Sequence, residues 1–189
     1  MVVNRAMSLD GFIAGPGDTQ DWVFDFLSND APRQKEAAGA TGAMLVGRRT
    51  AEVGERMEAN NDRGTPSRGE GYPFYGPIFV LTHQPPDPPD PDVTYLSGDI
   101  GEAVATSLAA AGGKDLQILG ADVAAQCLRR GLVDEVVVQV LPVLLGDGIR
   151  FSAPGLDRID LEPVSSTYAD GVTLLRIRRP EVVPAYLAR

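Results

Sequence analysis

Short apolar runs alternate with helical patterns over the first 140 or so residues of the chain, and the pattern then changes to strands alone. Apolar runs of four to eight residues bounded by turn formers read as buried strands. They fall at 2–9, 43–46, 77–82, 93–96 and 115–119, and a longer run opens at 135 and reaches 146. Helices are expected over 31–41, 48–58, 99–111 and 121–131. Pro32 fits a first helical turn after Asp30 as N-cap. Gly39 and Gly42 are expected to end that helix, Asp99 to begin the third, and Gly112 with Gly113 to stop it. Pro142 cannot donate to a sheet ladder, so a bulge or strand end is expected there. Residues 10–22 read as a turn-rich loop, 59–76 as a long loop, and 83–92 as a stiff proline-rich connection. Segments 159–169 and 172–179 read as a terminal antiparallel pair. Alternating strands and helices followed by strands only predict an α/β protein. Its sheet is mostly parallel, flanked by helices and finished by antiparallel strands.

Composition narrows the chemistry. The chain has 189 residues, 43% of them hydrophobic, which suits one substantial core and a single domain over 1–180 with a tail at 181–189. The formal charge of −9 and the lack of a long basic cluster argue against a nucleic-acid partner. No segment approaches the roughly 20 apolar residues of a membrane span, and no signal peptide is evident, so a cytoplasmic protein is expected. Cys127 is the only cysteine and His83 the only histidine. Together they exclude an intrachain disulfide and a conventional His/Cys zinc site, and no metal is expected. Ser-His-Asp chemistry would need His83 as its base, and no G-x-S-x-G elbow accompanies it. The reactive atoms are therefore expected to come from a cofactor.

Candidate ligand contacts follow from topology. Open parallel sheets bind ligands beyond the carboxyl ends of their strands. Strand 43–46 runs into Gly47-Arg48-Arg49-Thr50, strand 77–82 ends at Thr82-His83, and strand 115–119 runs into Gly120-Ala121-Asp122-Val123. Two helix N-termini and two arginines at one rim suit a pyrophosphate and a further phosphate, and NADPH carries both. Each junction taken singly also fits an ordinary strand–helix turn. The stretch "GPGDTQ" (15–20) lacks the final glycine and following helix of a Rossmann fingerprint.

Four segments, in order, carry a resemblance: "MSLDGFIAGPGD" (7–18), "GAMLVGRRTAE" (42–52), "PIFVLTH" (77–83) and "ILGADVAAQCLRRGLVDEVVVQVLPVLLGDGIRF" (118–151). The chain resembles the dihydrofolate reductase-like superfamily. It is most like the stand-alone proteins similar to the C-terminal reductase domain of the riboflavin-biosynthesis deaminase-reductase. The resemblance implies a three-layer α/β/α fold with a mixed sheet and an NADPH cleft across the strand ends. It implies that Gly47, Arg48, Arg49 and Thr50 hold phosphates, and that Leu81, Thr82 and His83 line the adenosine side. It also implies that Gly120, Ala121, Asp122 and Val123 bind the pyrophosphate, and that Ala6 and Ile13 border the nicotinamide. Two or three glycines often follow the fifth strand in that family; here Ala121 brings a Cβ and Asp122 a negative charge. As an N-cap, Asp122 could instead turn to its own helix.

The proton donor is the open element. Asp10 is the candidate catalytic acid, with loop organisation by backbone N–H bonds as its equal alternative. Asp21, Trp22, Phe24 and Asp25 occupy the place of the substrate-binding helix of folate reductases. Tyr72, Phe74 and Tyr75 are candidates for stacking on a flat heterocycle. The expected function is an NADPH-dependent reductase of a pyrimidine- or pterin-class heterocycle. The family precedent is the 5-amino-6-(5-phosphoribosylamino)uracil reductase step of riboflavin biosynthesis. Dihydrofolate reduction and a non-catalytic NADP(H)-binding module are the alternatives. A homodimer is expected from the family's habit, with 135–146 and the segment after it as the candidate interface.

Overall fold

The computed structural model describes residues 1–27, 32–59 and 74–180. Eight strands form one sheet in the order β5-β4-β3-β6-β1-β7-β10-β9. These are β1 (Val2–Ser8), β3 (Thr41–Gly47), β4 (Ile78–Leu81), β5 (Val93–Leu96), β6 (Asp115–Leu119), β7 (Glu135–Leu141), β9 (Glu162–Ala169) and β10 (Val172–Arg178). Neighbours from β5 to β7 pair in parallel, and β10 runs antiparallel to both β7 and β9. The mostly parallel sheet with its terminal antiparallel hairpin is the architecture the alternation predicts.

Strand periodicity sorts the side chains into two faces. Val3, Ala43, Leu45, Phe79, Leu116, Ile118, Val136 and Val138 point to one side, where they pack into the main core. Helices α3 (Ile100–Ala110) and α4 (Ala121–Arg129) cover that side, contributing Ile100, Ala103, Val104, Val123, Ala124 and Cys127. Asp99 caps α3 as expected, its carboxylate accepting from the Gly101 and Glu102 amides. On the opposite side, Met44, Val46 and Val80 form a smaller cluster with Ala51 of α2 (Arg48–Ala59). Helix α1 (Pro32–Ala40) leads into β3. The second face of β6, β1 and β7 carries Gln117, Asn4 and Gln139 instead of an apolar layer, and it is the floor of a cleft.

Three expectations need correction. Residues 10–22 are more ordered than a loop: β2 (Phe12–Ala14) pairs with β8 (Ile149–Arg150), and 3-10 turns follow at Pro16–Asp18 and Asp21–Asp25. Both strands are too short for a period-two signal. Gly39 does not end α1, and Gly42 lies inside β3, where an added Cβ would fall 2.0 Å from the Ala111 carbonyl oxygen. Strand β7 ends at Leu141, before Pro142, and lies between β1 and β10, so most of 135–146 is interior sheet and not a surface for a partner. The Asp30 cap, Tyr72, most of the 59–76 loop and the 181–189 tail lie outside the described residues.

Candidate functional site

The two glycine-initiated helices meet at the carboxyl ends of adjacent strands. Strand β3 pairs with β6 through Val46↔Leu119, so the next residues, Gly47 and Gly120, stand side by side. Both are packed so closely that side chains would intrude. A Cβ on Gly120 would lie 2.7 Å from Thr50 Oγ1, and one on Gly47 would lie 3.2 Å from Val123 Cγ2. Gly120 also has φ +92°, a conformation that L side chains rarely adopt. Helices α2 and α4 thereby start together at one rim.

This rim opens on a cleft of about 1250 Å3. Pockets for drug-sized ligands run to roughly 300–1,000 Å3, so the cleft has room for a dinucleotide and a small substrate. The expected phosphate residues Gly47, Arg48, Arg49 and Thr50 all line it. So do Leu81, Thr82 and His83 at the end of β4, Gly120, Ala121, Asp122 and Val123 at the start of α4, and Ala6 and Ile13 near β1 and β2.

Local contacts refine their roles. Helix α4 has no side-chain N-cap, unlike α3. Its first-turn amides are therefore free of a competing carboxylate, the usual condition for anion binding at a helix start. Asp122 does not cap the helix; it accepts from Gln126 Nε2 at 2.9 Å, one turn along. Arg48 pairs with Glu52 at 2.7 Å and Arg49 with Asp18 at 3.0 Å, both on the exposed rim. Such exposed pairs are worth only about 0–1 kcal/mol, so an incoming phosphate can displace them. The Thr82 hydroxyl is engaged in its own turn, donating to the Gln84 carbonyl and accepting from the Gln84 amide, each at 3.1 Å.

The catalytic and substrate expectations fare differently. Asp10 does not line the cleft. Its carboxylate accepts from Ser8 Oγ at 2.6 Å, from the Leu145 amide at 3.1 Å and from the Gly146 amide at 2.7 Å. Led by the Ser8 hydrogen bond, with the Gly146 and Leu145 amides adding to it, these contacts bring its pKa down to about 2. These contacts brace the segment at 145–146 and favour the loop-organising role of Asp10 over that of catalytic acid. Of the four expected substrate residues, Phe24 lines the cleft, whereas Asp21, Trp22 and Asp25 do not. The Trp22 indole donates to the Thr19 carbonyl at 3.3 Å. Phe74 is buried in the smaller core cluster and reaches the cleft; Tyr75 is exposed and does not. Among the described residues no cluster of His, Cys, Asp and Glu could hold a metal ion. Burial raises the Cys127 pKa to about 11, which leaves it a structural thiol at neutral pH.

Several cleft residues escape sequence reasoning. Asn4, Gln117 and Gln139 are polar residues inside apolar strands, and only the sheet order brings them together. The Gln139 amide donates to Asn4 Oδ1 at 3.5 Å, and Thr41 Oγ1 lies 3.1 Å from Gln117 Oε1. Arg5 is buried, and its signal in the sequence was a lone cation within "VVNRAM".

Sheet, cleft and helix starts define an α/β protein of the dihydrofolate reductase-like fold. An Enterococcus faecalis dihydrofolate reductase complexed with NADP(H) aligns with a TM-score of 0.61 at 18% identity, covering 95% of this chain and 96% of that one. A protein ascribed to riboflavin biosynthesis in Shewanella sp. PV-4 aligns with a TM-score of 0.75 at 23% identity, over 95% of this chain and 98% of that one. A diaminohydroxyphosphoribosylaminopyrimidine deaminase/5-amino-6-(5-phosphoribosylamino)uracil reductase from Thermotoga maritima gives a TM-score of 0.65 at 17% identity, over 95% of this chain and 56% of that longer one. The chain belongs to the RibD C-terminal domain family, whose model matches residues 1–175. Among curated proteins, the uncharacterized protein YwjB of Bacillus subtilis is 26% identical over 150 residues, 78% of this chain and 79% of that one.

Proposed function

We propose that this protein is an NADPH-dependent reductase of a small heterocycle, of the pyrimidine-reductase type found in riboflavin biosynthesis. Family membership supports the reductase class. The observation that carries the cofactor reading is the joint start of α2 and α4 at Gly47 and Gly120, with a tight fit at Gly47, no space for a Cβ at Gly120 and no side-chain cap on α4. That cradle fits a pyrophosphate. Gly47, Thr50 and the first turn of α4 would hold the phosphates, Arg48 and Arg49 the 2′-phosphate, and Leu81 to His83 the adenosine side. Ala6 and Ile13 would border the nicotinamide. When bound, NADPH supplies the hydride; the chain's own residues orient, exclude water and read the substrate.

Amides on the cleft floor (Asn4, Gln117 and Gln139) offer donors and acceptors that match a lactam-like ring, with the carboxylates of Asp115 and Glu135 further along the same strands. This supports a uracil-type ring. Dihydrofolate is less well supported, because the expected acids Asp10, Asp21 and Asp25 do not line the cleft, although other carboxylates, Glu36 and Asp115 among them, do. A non-catalytic NADP(H)-binding module is the reading left if binding occurs without turnover. The unit in solution is proposed to be a homodimer. Every residue of β9 is exposed, including Val164 and Tyr168, and an uncovered edge strand leaves backbone groups open to pairing with a second copy. No helix among the described residues is long and apolar enough to cross a membrane.

The decisive experiment is a titration with NADPH and NADH followed by thermal shift, on the wild type and on Arg49→Ala. Tight NADPH binding that drops about tenfold in the variant, with NADH unchanged, supports the 2′-phosphate contact. An equal response to both cofactors in the wild type sinks it. A panel of heterocycles watched for NADPH oxidation then separates an enzyme from a binding module.

A further inference from the structure

Among the described residues, four arginines line the cleft: Arg5, Arg48, Arg49 and Arg176. Three have carboxylate partners, in Glu52, Asp18 and Glu135. Arg5 has no ion pair among the described residues. It is also the most buried of the four, only 7% exposed. Its Nε and Nη1 atoms are buried and make no hydrogen bond. Val3 and Met7 pack in the main core beneath α3 and α4, so alternation along β1 puts Arg5 on that same side. The guanidinium sits 5.7 Å from the centre of the Phe151 ring. Its Nη2 donates to the Gly120 carbonyl, which also accepts from the Ala124 amide at 3.1 Å.

A buried cation without a counter-charge is costly, and a leucine or methionine of similar volume would fill the space more cheaply. Burial brings the Arg5 pKa down to about 10, so the side chain is still charged at neutral pH. Among the described residues the titratable group that faces it is the Cys127 thiol, which burial keeps protonated at neutral pH. The place where this charge is kept is significant. Extending the β1–β6 register from Val3↔Ile118 puts Arg5 level with Gly120, behind the uncapped first turn of α4. Two consequences follow. The Arg5–Gly120 hydrogen bond draws the Gly120 carbonyl back toward the core, away from an anion at the helix start. The charge itself adds to the positive potential of that helix end within a low-dielectric wall.

We propose that Arg5 is a positioning residue for the phosphoryl groups of a dinucleotide, acting through Gly120 and the start of α4, with the bound pyrophosphate as its missing counter-charge. The proposal rests on the dinucleotide reading above. It assigns Arg5 no direct contact with the reacting atoms.

The test compares wild type, Arg5→Met and Arg5→Lys with two probes, NADPH and 2′-AMP, the second lacking any pyrophosphate. Melting temperatures are measured without ligand. Arg5→Met should lower NADPH affinity about tenfold, and Arg5→Lys should recover most of it because the charge is restored. Affinity for 2′-AMP should be the same in all three proteins. The unliganded Arg5→Met protein should melt at or above the wild-type temperature, since a buried charge has been removed. Unchanged NADPH affinity in Arg5→Met overturns the proposal, as does equal loss of 2′-AMP binding. A lower melting temperature with normal NADPH binding makes Arg5 structural and overturns it too. Should Arg5→Met fail to fold, the Arg5 Nε–H resonance of the wild type decides: it should move with NADPH and with inorganic pyrophosphate but not with 2′-AMP, and a stationary signal overturns the idea. Wild-type protein that binds neither NADPH nor pyrophosphate removes the dinucleotide reading and this proposal with it. Wild-type binding that is indifferent to Arg5 removes this proposal alone.

Discussion

Asp18 Oδ2 lies 3.0 Å from Arg49 Nη2 and 4.0 Å from Arg56 Nη2, so one carboxylate holds two guanidinium groups at the rim of the cleft. Asp18 comes from the turn after β2 and both arginines from α2, so this contact ties the turn to the helix. It also occupies the group proposed to read the 2′-phosphate. Asp18→Asn should release Arg49 and tighten NADPH binding about two- to fivefold, with a smaller effect on NADH. Calorimetric titration of both cofactors checks this, and weaker NADPH binding in the variant would show that Asp18 orders the site instead of competing for it.

Gly120→Ala tests the cradle. The new methyl group meets Thr50 Oγ1 at 2.7 Å and is held at a positive φ. The strain should cost about 1–3 kcal/mol, and at about 2–4 °C per kcal/mol for a chain of this size the melting temperature should fall by several degrees. NADPH affinity should fall further than stability alone explains, because the helix start is displaced. A variant with wild-type melting and binding would mean that the Gly47–Gly120 junction tolerates a side chain.

Asp10 provides a pH signature. Its folded-state pKa of about 2 lies below the usual value of about 3.9 for an unfolded aspartate. A depressed carboxylate pKa contributes stability that is fully present above the unfolded value and lost as pH falls through the folded one. Wild-type stability should therefore decline between about pH 4 and about pH 2 partly through Asp10. Asp10→Asn should be less stable at pH 7 and lose that portion of the slope. Denaturant melts across this range measure it. Turnover at pH 7 should survive at a substantial level, since the carboxylate is a brace for Leu145 and Gly146; complete loss of turnover with intact NADPH binding would restore Asp10 as the acid.

The edge strand predicts the assembly state. Val164, at the bulge where β9 shifts register against β10, and Tyr168 are both exposed on this edge strand. Sedimentation of the wild type should give a dimer, and Val164→Lys with Tyr168→Lys should give a folded monomer. A wild-type monomer, or a variant that remains dimeric, would move the interface elsewhere; the exposed Leu9 and Leu144 beside the β1 end are then the next surface to test.

Local chemistry was enough to place most elements. Short apolar runs bounded by turn formers marked β3, β4 and β6, and Asp99 marked the start of α3, because such signals act within a few residues. The same locality explains why Gly47 to Thr50 and Gly120 to Val123 were legible as residues of the cleft: each segment follows a strand and opens a helix. Only the tertiary structure decided which of these signals belong together. Sheet order sets β6 between β1 and β3, and from that follow the meeting of Gly47 with Gly120, the amide floor of Asn4, Gln117 and Gln139, and the buried charge of Arg5 behind α4. Contacts such as Asp10 with Gly146, 136 residues apart, leave no trace in spacing or composition. Sequence alone fixes what each residue can do; the fold fixes its neighbours, and at Arg5 and Asp10 the neighbours decide the role.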